Sequence, residues 1–310
     1  MNRPQVRPIP QAESPVQFRE PAETRTLARR PSQFQRELHR ALGNKKLVVG
    51  GLLTLFLMAV SVLAPLIAPY KPDQMSAAPL YARPGGDHFF GGDEFGRDLF
   101  SRMIYGTRIS LGVSTIVTSI ALLTGGVLGM LAGLIGGRID SVIGGVTDLL
   151  FGVPTVLLAL FAATILGPGL NTVVIALSIV YIPQFARVLR AATIDVSHRE
   201  YVIAAKAIGA KPMRVALSHV LPNCLSPLIV HAALVMSLVI LDEAGLSFIG
   251  VGTQPPTPSW GIIMRQGLDY LSRTTYPAII AGGGIFFAVF AFNLLADGLR
   301  DHLDPRLRGR

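Results

Sequence analysis

Residues 47–68 form a 22-residue run without one charged side chain. At about 1.5 Å per residue, a helix of that length crosses the ~30 Å hydrocarbon core of a bilayer. Five more apolar runs follow, at 109–135, 141–166, 170–186, 224–241 and 276–296. The third is interrupted only by Asp148 and by a kink expected at Pro154. Gly167-Pro168-Gly169 separates it from the fourth and suits a tight turn between two spans. The pattern predicts an all-α membrane protein with six transmembrane helices. Composition agrees, because only 15% of the residues are charged, where a soluble domain carries about a quarter. The single cysteine, Cys224, excludes an intrachain disulfide and a Cys-rich zinc site.

Six spans place both termini on one side. Residues 1–46, 136–140, 187–223 and 297–310 then share a face holding 21 Lys and Arg, against 7 on the other. The positive-inside rule makes the richer face cytoplasmic. The net charge of +9 is thereby accounted for, and a nucleic-acid partner is not needed to explain it. The organisation expected is a largely disordered cytoplasmic tail (1–46), a transmembrane domain (47–298) containing a cytoplasmic loop (187–223), and a cytoplasmic tail (299–310). No extramembrane stretch exceeds 46 residues, too short for a nucleotide-hydrolysing domain. No phosphate-cradling G-x-x-x-x-G-K-[ST] loop occurs either. An ATP-driven process would need its motor on another chain.

The loop 187–223 reads as two short helices. Ser197 and Glu200 have capping-box spacing, and Gly209 suits the left-handed stop of the helix they would open. Its small patch of Ala204, Ala205 and Ile208 is suited to a partner's groove. Pro212 would start a second helix, ending before Leu221 and Pro222. Within the spans, Gly125, Gly129 and Gly133 recur every fourth residue and permit close helix approach. Asp148, about two turns into the third run from its cytoplasmic end, is expected to snorkel or to pair with Arg138 or Arg187, with a substrate or proton role as the alternative. Asp242 and Glu243 lie at the outer end of the fifth run, where water access would lower their cost; an outer-gate role and plain interfacial solvation both fit. On the outer loop, residues 97–105 suggest a short amphipathic helix with Asp98 facing Arg102. Trp260 is expected at the headgroup level.

The segment from Ala204 to Gly209, followed after nine residues by His219-Val220-Leu221-Pro222, resembles the E-A-A-x-x-x-G-x9-I-x-L-P loop of ABC-importer permeases. Ile203 and His219 depart from the general motif. Three further stretches resemble the second permease subunit of dipeptide/oligopeptide importers, at 91–111, 243–261 and 293–306. The resemblance covers about residues 45 to 308 and implies a six-helix type I importer permease in a bacterial cytoplasmic membrane. It implies that Ser197, Glu200, Ala204, Ala205, Ile208, Gly209, Leu221 and Pro222 belong to a loop that docks on an ATPase. The implied partners are a second homologous permease, two ABC ATPase subunits that carry ATP and Mg, and an extracytoplasmic substrate-binding protein. This chain would bind no cofactor or metal and catalyse nothing itself. The implied cargo is a di- or oligopeptide, with nickel or glutathione as family alternatives. A secondary transporter would want a proton relay or an inverted repeat, and only Asp148 lies well inside a run. An intramembrane serine nucleophile at Ser247 with His231 as base would span about 24 Å along a helix, too far for proton transfer.

Overall fold

A computed structural model describes residues 40–303. The expected disorder of residues 1–39, and the end of the C-terminal tail from 304, lie outside the described residues. The first helix, α1 (Lys45–Ile67), opens on Asn44, whose side chain accepts from the Leu47 amide at 3.2 Å. The same side chain donates to the Gly298 carbonyl at 3.1 Å, which ties α1 to the last helix, α10 (Tyr276–Leu303). Between them lie α2 (Leu99–Ile135), α3 (Gly137–Phe151), α4 (Thr155–Leu166) and α5 (Leu170–Ser197). Next come the short α6 (Glu200–Ala207) and α7 (Pro212–Val215). A π-helical turn, Ala216–Val220, leads into α8 (Leu221–Phe248), and α9 (Trp260–Asp269) precedes α10.

Five of these segments are long and apolar enough to cross a membrane, and six if α3 and α4 count as one broken span. The third expected span is not one helix. α3 and α4 meet at 88° around Gly152-Val153-Pro154, where the proline ring prevents the helix from continuing. The second short loop helix does not stop at Val220 as expected. It passes through the π turn into α8, so that 212–248 forms one segment. Pro222 has no amide to give to the carbonyl four residues back, and a local π register is one way a helix absorbs that loss.

Two cores hold the helices together. Val113, Val117, Phe185, Leu189, Val220 and Val239 join α2, α5 and α8. Leu57, Leu111, Trp260, Ile263 and Phe292 join α1, α2, α9 and α10. Outside them, large apolar side chains such as Leu55, Val62, Leu66, Leu123, Ile279 and Phe286 are exposed, the outward face a lipid solvent requires. The α2–α5 contact depends on Gly125, Gly129 and Gly133. A Cβ on Gly125 would run into Phe185 and the Ile182 carbonyl, and one on Gly129 into the Ala186 carbonyl. At Gly133 it would press on Thr193. The glycine stripe is thus occupied by a helix of the same chain.

Candidate docking loop and gating sites

In the loop, α5 ends at Ser197 and α6 begins at Glu200, with extended Arg199 as its cap and no side-chain cap bond. The expected capping box is absent. The Ser197 hydroxyl is buried and finds no hydrogen-bond partner among the described residues; Ser197 is the last residue of α5, and Arg199 takes the cap position of α6 instead. Arg199 instead reaches back to Asp195 at 3.0 Å. The other end of α6 follows the sequence closely. Gly209 has φ 84°, its amide donates to the Lys206 carbonyl at 3.0 Å, and the Ala210 amide donates to Ala205 at 3.1 Å. Those two bonds make a Schellman cap.

The face that α6 presents differs from expectation. Val202 is fully buried with Val196, Val215 and Val220, and Ala205 points inward beside it. Ala204 and Ile208 point outward, and Ile208 is 87% exposed. Tyr201, Ile203, Met213 and Leu217 extend the same outward apolar surface. Leu221 is half-buried and Pro222 exposed at the start of α8. Ala205 therefore seats the loop on the bundle, while Ala204 and Ile208 are free to meet a partner.

At the other end, Glu243 is not water-exposed. It is fully buried and accepts from Ser110 Oγ and Ser247 Oγ, both at 2.8 Å, and from Thr253 Oγ1 at 3.3 Å. The same Ser247 Oγ accepts from the Thr253 amide at 3.0 Å, so this serine is a structural tie. Helix α8 continues to Phe248, two turns beyond the apolar run, and this carries Glu243 under the 249–259 loop. Asp242, half-buried, accepts from Tyr181 Oη at 2.9 Å.

The outer loop before α2 folds around charge. Asp93 accepts from the amides of Phe95 and Arg97 at 2.9 Å and from Arg97 Nε at 2.6 Å. Arg102 Nε lies 3.4 Å from the same carboxylate, and its other nitrogens donate to the Pro72 carbonyl and to Gln266. Burial pushes the Glu94 carboxyl above the usual carboxylate range. Asp98 does not pair with Arg102. It caps α2 through the Ser101 amide at 2.8 Å and lies 3.0 Å from His88 Nδ1. Residues 97–105 are no separate surface helix, since Leu99 onward belongs to the 37-residue α2. Trp260 is likewise internal. It is 2% exposed, donates to the Met103 carbonyl at 3.2 Å, and sits against Gly106 and Gly284. That contact was unreadable in advance, because Met103 and Gly106 precede Trp260 by more than 150 positions in the chain.

Inside the broken span, Asp148 accepts from Arg187 at 2.8 Å. Asp140 forms a bidentate pair with Arg190, whose Nη2 lies 2.6 Å from Oδ2 and whose Nε faces Oδ1. His231 packs its ring edge-on to Phe185. Among the described residues no group of three His, Cys, Asp or Glu is placed to hold a metal.

The family described as binding-protein-dependent transport system inner membrane component matches residues 125–309. The chain belongs to this family. A second match, to the N-terminal transmembrane domain of oligopeptide transport permease C, covers residues 32–84. The permease is 42% identical over 282 residues to the di/tripeptide transport system permease protein DppC of Pseudomonas aeruginosa, covering 88% of this chain and 92% of that protein. To the dipeptide transport system permease protein DppC of Escherichia coli it is 41% identical over 271 residues, covering 86% and 90%. Its fold is similar to a chain of the MetNI methionine ABC transporter in an inward-facing conformation. The TM-score there is 0.56 at 17% identity, over 66% of this chain and 98% of that one. It is a multi-pass, non-catalytic membrane subunit of the C type.

Proposed function

We propose that this permease forms half of the path by which an ABC importer moves di- and oligopeptides inward, with a second homologous permease forming the other half. Two ATPase subunits would bind and hydrolyse Mg-ATP and move the bundle through α6. An extracytoplasmic binding protein would deliver the peptide to the outer loops around residues 93 and 254. Both termini, the 1–46 tail, the 187–223 loop and the 299–310 tail would lie in the cytoplasm. The observation that carries the docking assignment is the outward apolar surface of Tyr201, Ile203, Ala204 and Ile208 on a helix pinned from below by Val202 and Ala205. A contiguous apolar patch facing water marks a protein contact.

The test uses the transporter reconstituted with its ATPases and binding protein in proteoliposomes. Ala204→Trp or Ile208→Asp should abolish peptide uptake and the stimulation of ATP hydrolysis, with the chain still in the membrane. Ala205→Trp should instead unseat the loop and lower the yield of folded protein. Uptake unaffected by Ala204→Trp and Ile208→Asp would remove the docking role from α6.

A further inference from the structure

Between the last turns of α2 and the α6–α7 stretch of the loop lies a groove of about 470 Å³, within the range of small-ligand sites, about 300–1,000 Å³. Its floor is the membrane-spanning α2, where Val127, Leu131 and Ile135 line it and are 54%, 41% and 59% exposed. From Val127 to Ile135 the helix rises about 12 Å, all of it within the uncharged run that ends at Ile135. Pro212, Met213 and Ala216 form the facing wall. Among the described residues that line the groove, Lys206 alone carries a charge. That charge is unopposed. Residues 201–241 hold Lys206, Lys211 and Arg214 and no acid, and residues 109–139 hold Arg138 and no acid. All four basic side chains are exposed, and none has an ion pair among the described residues.

An occupant that matches this groove is apolar along the part lying beside the span and negative where it emerges. Basic pockets between spans on the cytoplasmic side hold anionic lipid headgroups in this way. Lysine suits the mouth, because its apolar stem lies along the wall while the ammonium stays at the polar surface. Lys206 is also clear of the ATPase contact proposed above. It lies two residues from both Ala204 and Ile208, which at about 100° per residue turns it to the other side of α6. We propose that the α2–α6 groove binds an acyl chain of an anionic phospholipid from the cytoplasmic leaflet, with Lys206 on the phosphate and Lys211 and Arg214 adding attraction. Bound there, the lipid bridges a membrane span to the helix that meets the ATPases. The choice of leaflet rests on the orientation proposed above; the preference for an anionic headgroup does not.

The experiment uses the transporter assembled with its partner subunits in phosphatidylcholine nanodiscs. These carry a trace of phosphatidylglycerol or of phosphatidylcholine with a diazirine in the acyl chain. After photolysis, peptide mass spectrometry compares adducts at residues 206–216 with adducts around Leu123, a lipid-facing position of α2 that is 65% exposed. The phosphatidylglycerol probe should label 206–216 about fivefold more than the phosphatidylcholine probe, the ratio given by about 1 kcal/mol from one lysine beside an anionic headgroup. Around Leu123 the two probes should label equally. Lys206→Gln should bring the groove ratio down to the Leu123 ratio, and Ala210→Trp, which fills the groove, should remove the adducts of both probes from 206–216. Absence of adducts there with either probe in the unsubstituted protein means that another chain covers the groove, and overturns the lipid site; so do adducts that persist in Ala210→Trp. Equal labelling of 206–216 by the two probes overturns the anionic preference, and a preference that survives Lys206→Gln overturns the role of that lysine. Nanodiscs offer both leaflets, so a loop found on the outside by impermeant labelling of right-side-out vesicles refutes the leaflet and the orientation while the headgroup ratio stands.

Discussion

One carboxylate, Glu243, holds three pieces of chain in register: α2 through Ser110, α8 through Ser247, and the following loop through Thr253. Replacing it by alanine strands three buried hydroxyls, each at a cost of about 1–3 kcal/mol. Glu243→Ala should lower the melting temperature of the purified complex clearly more than Glu243→Gln, which keeps an acceptor; scanning fluorimetry of the two variants checks this. Glu94 supplies a pH prediction. Its carboxyl is raised chiefly by burial, with Asp93 adding to the shift and Arg97 and Arg102 opposing it. A raised acid binds more protons folded than unfolded, so its contribution to stability is complete below the ordinary carboxylate range. That contribution is lost as pH rises through the folded value. Amide protection factors in residues 85–98, corrected for the intrinsic pH dependence of exchange, should therefore rise on mild acidification, and Glu94→Gln should flatten the dependence.

Among the helices, α6 owes its end to Gly209, and a residue with a Cβ in the left-handed region costs about 1–2 kcal/mol. Gly209→Ala should loosen the loop and reduce the number of peptides moved per ATP, whereas Gly209→Pro also deletes the amide that donates to Lys206 and should uncouple the two processes fully. Uptake and phosphate release measured together give that ratio. The tight α2–α5 crossing predicts that Gly129→Leu, whose side chain would have to enter the Ala186 backbone, prevents assembly with the second permease; size-exclusion chromatography of the co-expressed subunits reads this out. Gly209 was readable from the sequence because a Schellman stop is a local event, made by bonds within six residues. The other end of α6 was not. Ser197 and Glu200 have the right spacing, yet α5 runs on through Ser197 because Val196 and Thr193 are buried in its packing, and tertiary burial outweighs a cap worth about 1 kcal/mol.

Across the bundle, the distribution of Lys and Arg predicts that the 1–46 tail and the loop before α8 lie on the same side. Proteolysis or impermeant labelling of right-side-out vesicles should spare both and reach the outer loop at 83–97. Length was the strongest signal in the chain: bilayer thickness is an external ruler, so an uncharged run of 20-odd residues commits itself to crossing without reference to any neighbour. The long apolar segments were accessible at that level, and the family from its motifs. Where each polar side chain went was not. Glu243 and Ser110 are 133 positions apart, and Trp260 and Met103 157. Nothing in either neighbourhood announces the other, and only the packing of α2 against α8 and α9 turned an acid expected in water into a buried tie and an expected interfacial tryptophan into core. The 88° break between α3 and α4 belongs to the same class: Pro154 marks where a helix can fail, but only the structure shows α3 tied to α5 by the ion pairs of Asp140 and Asp148 and α4 seated through buried Ala159.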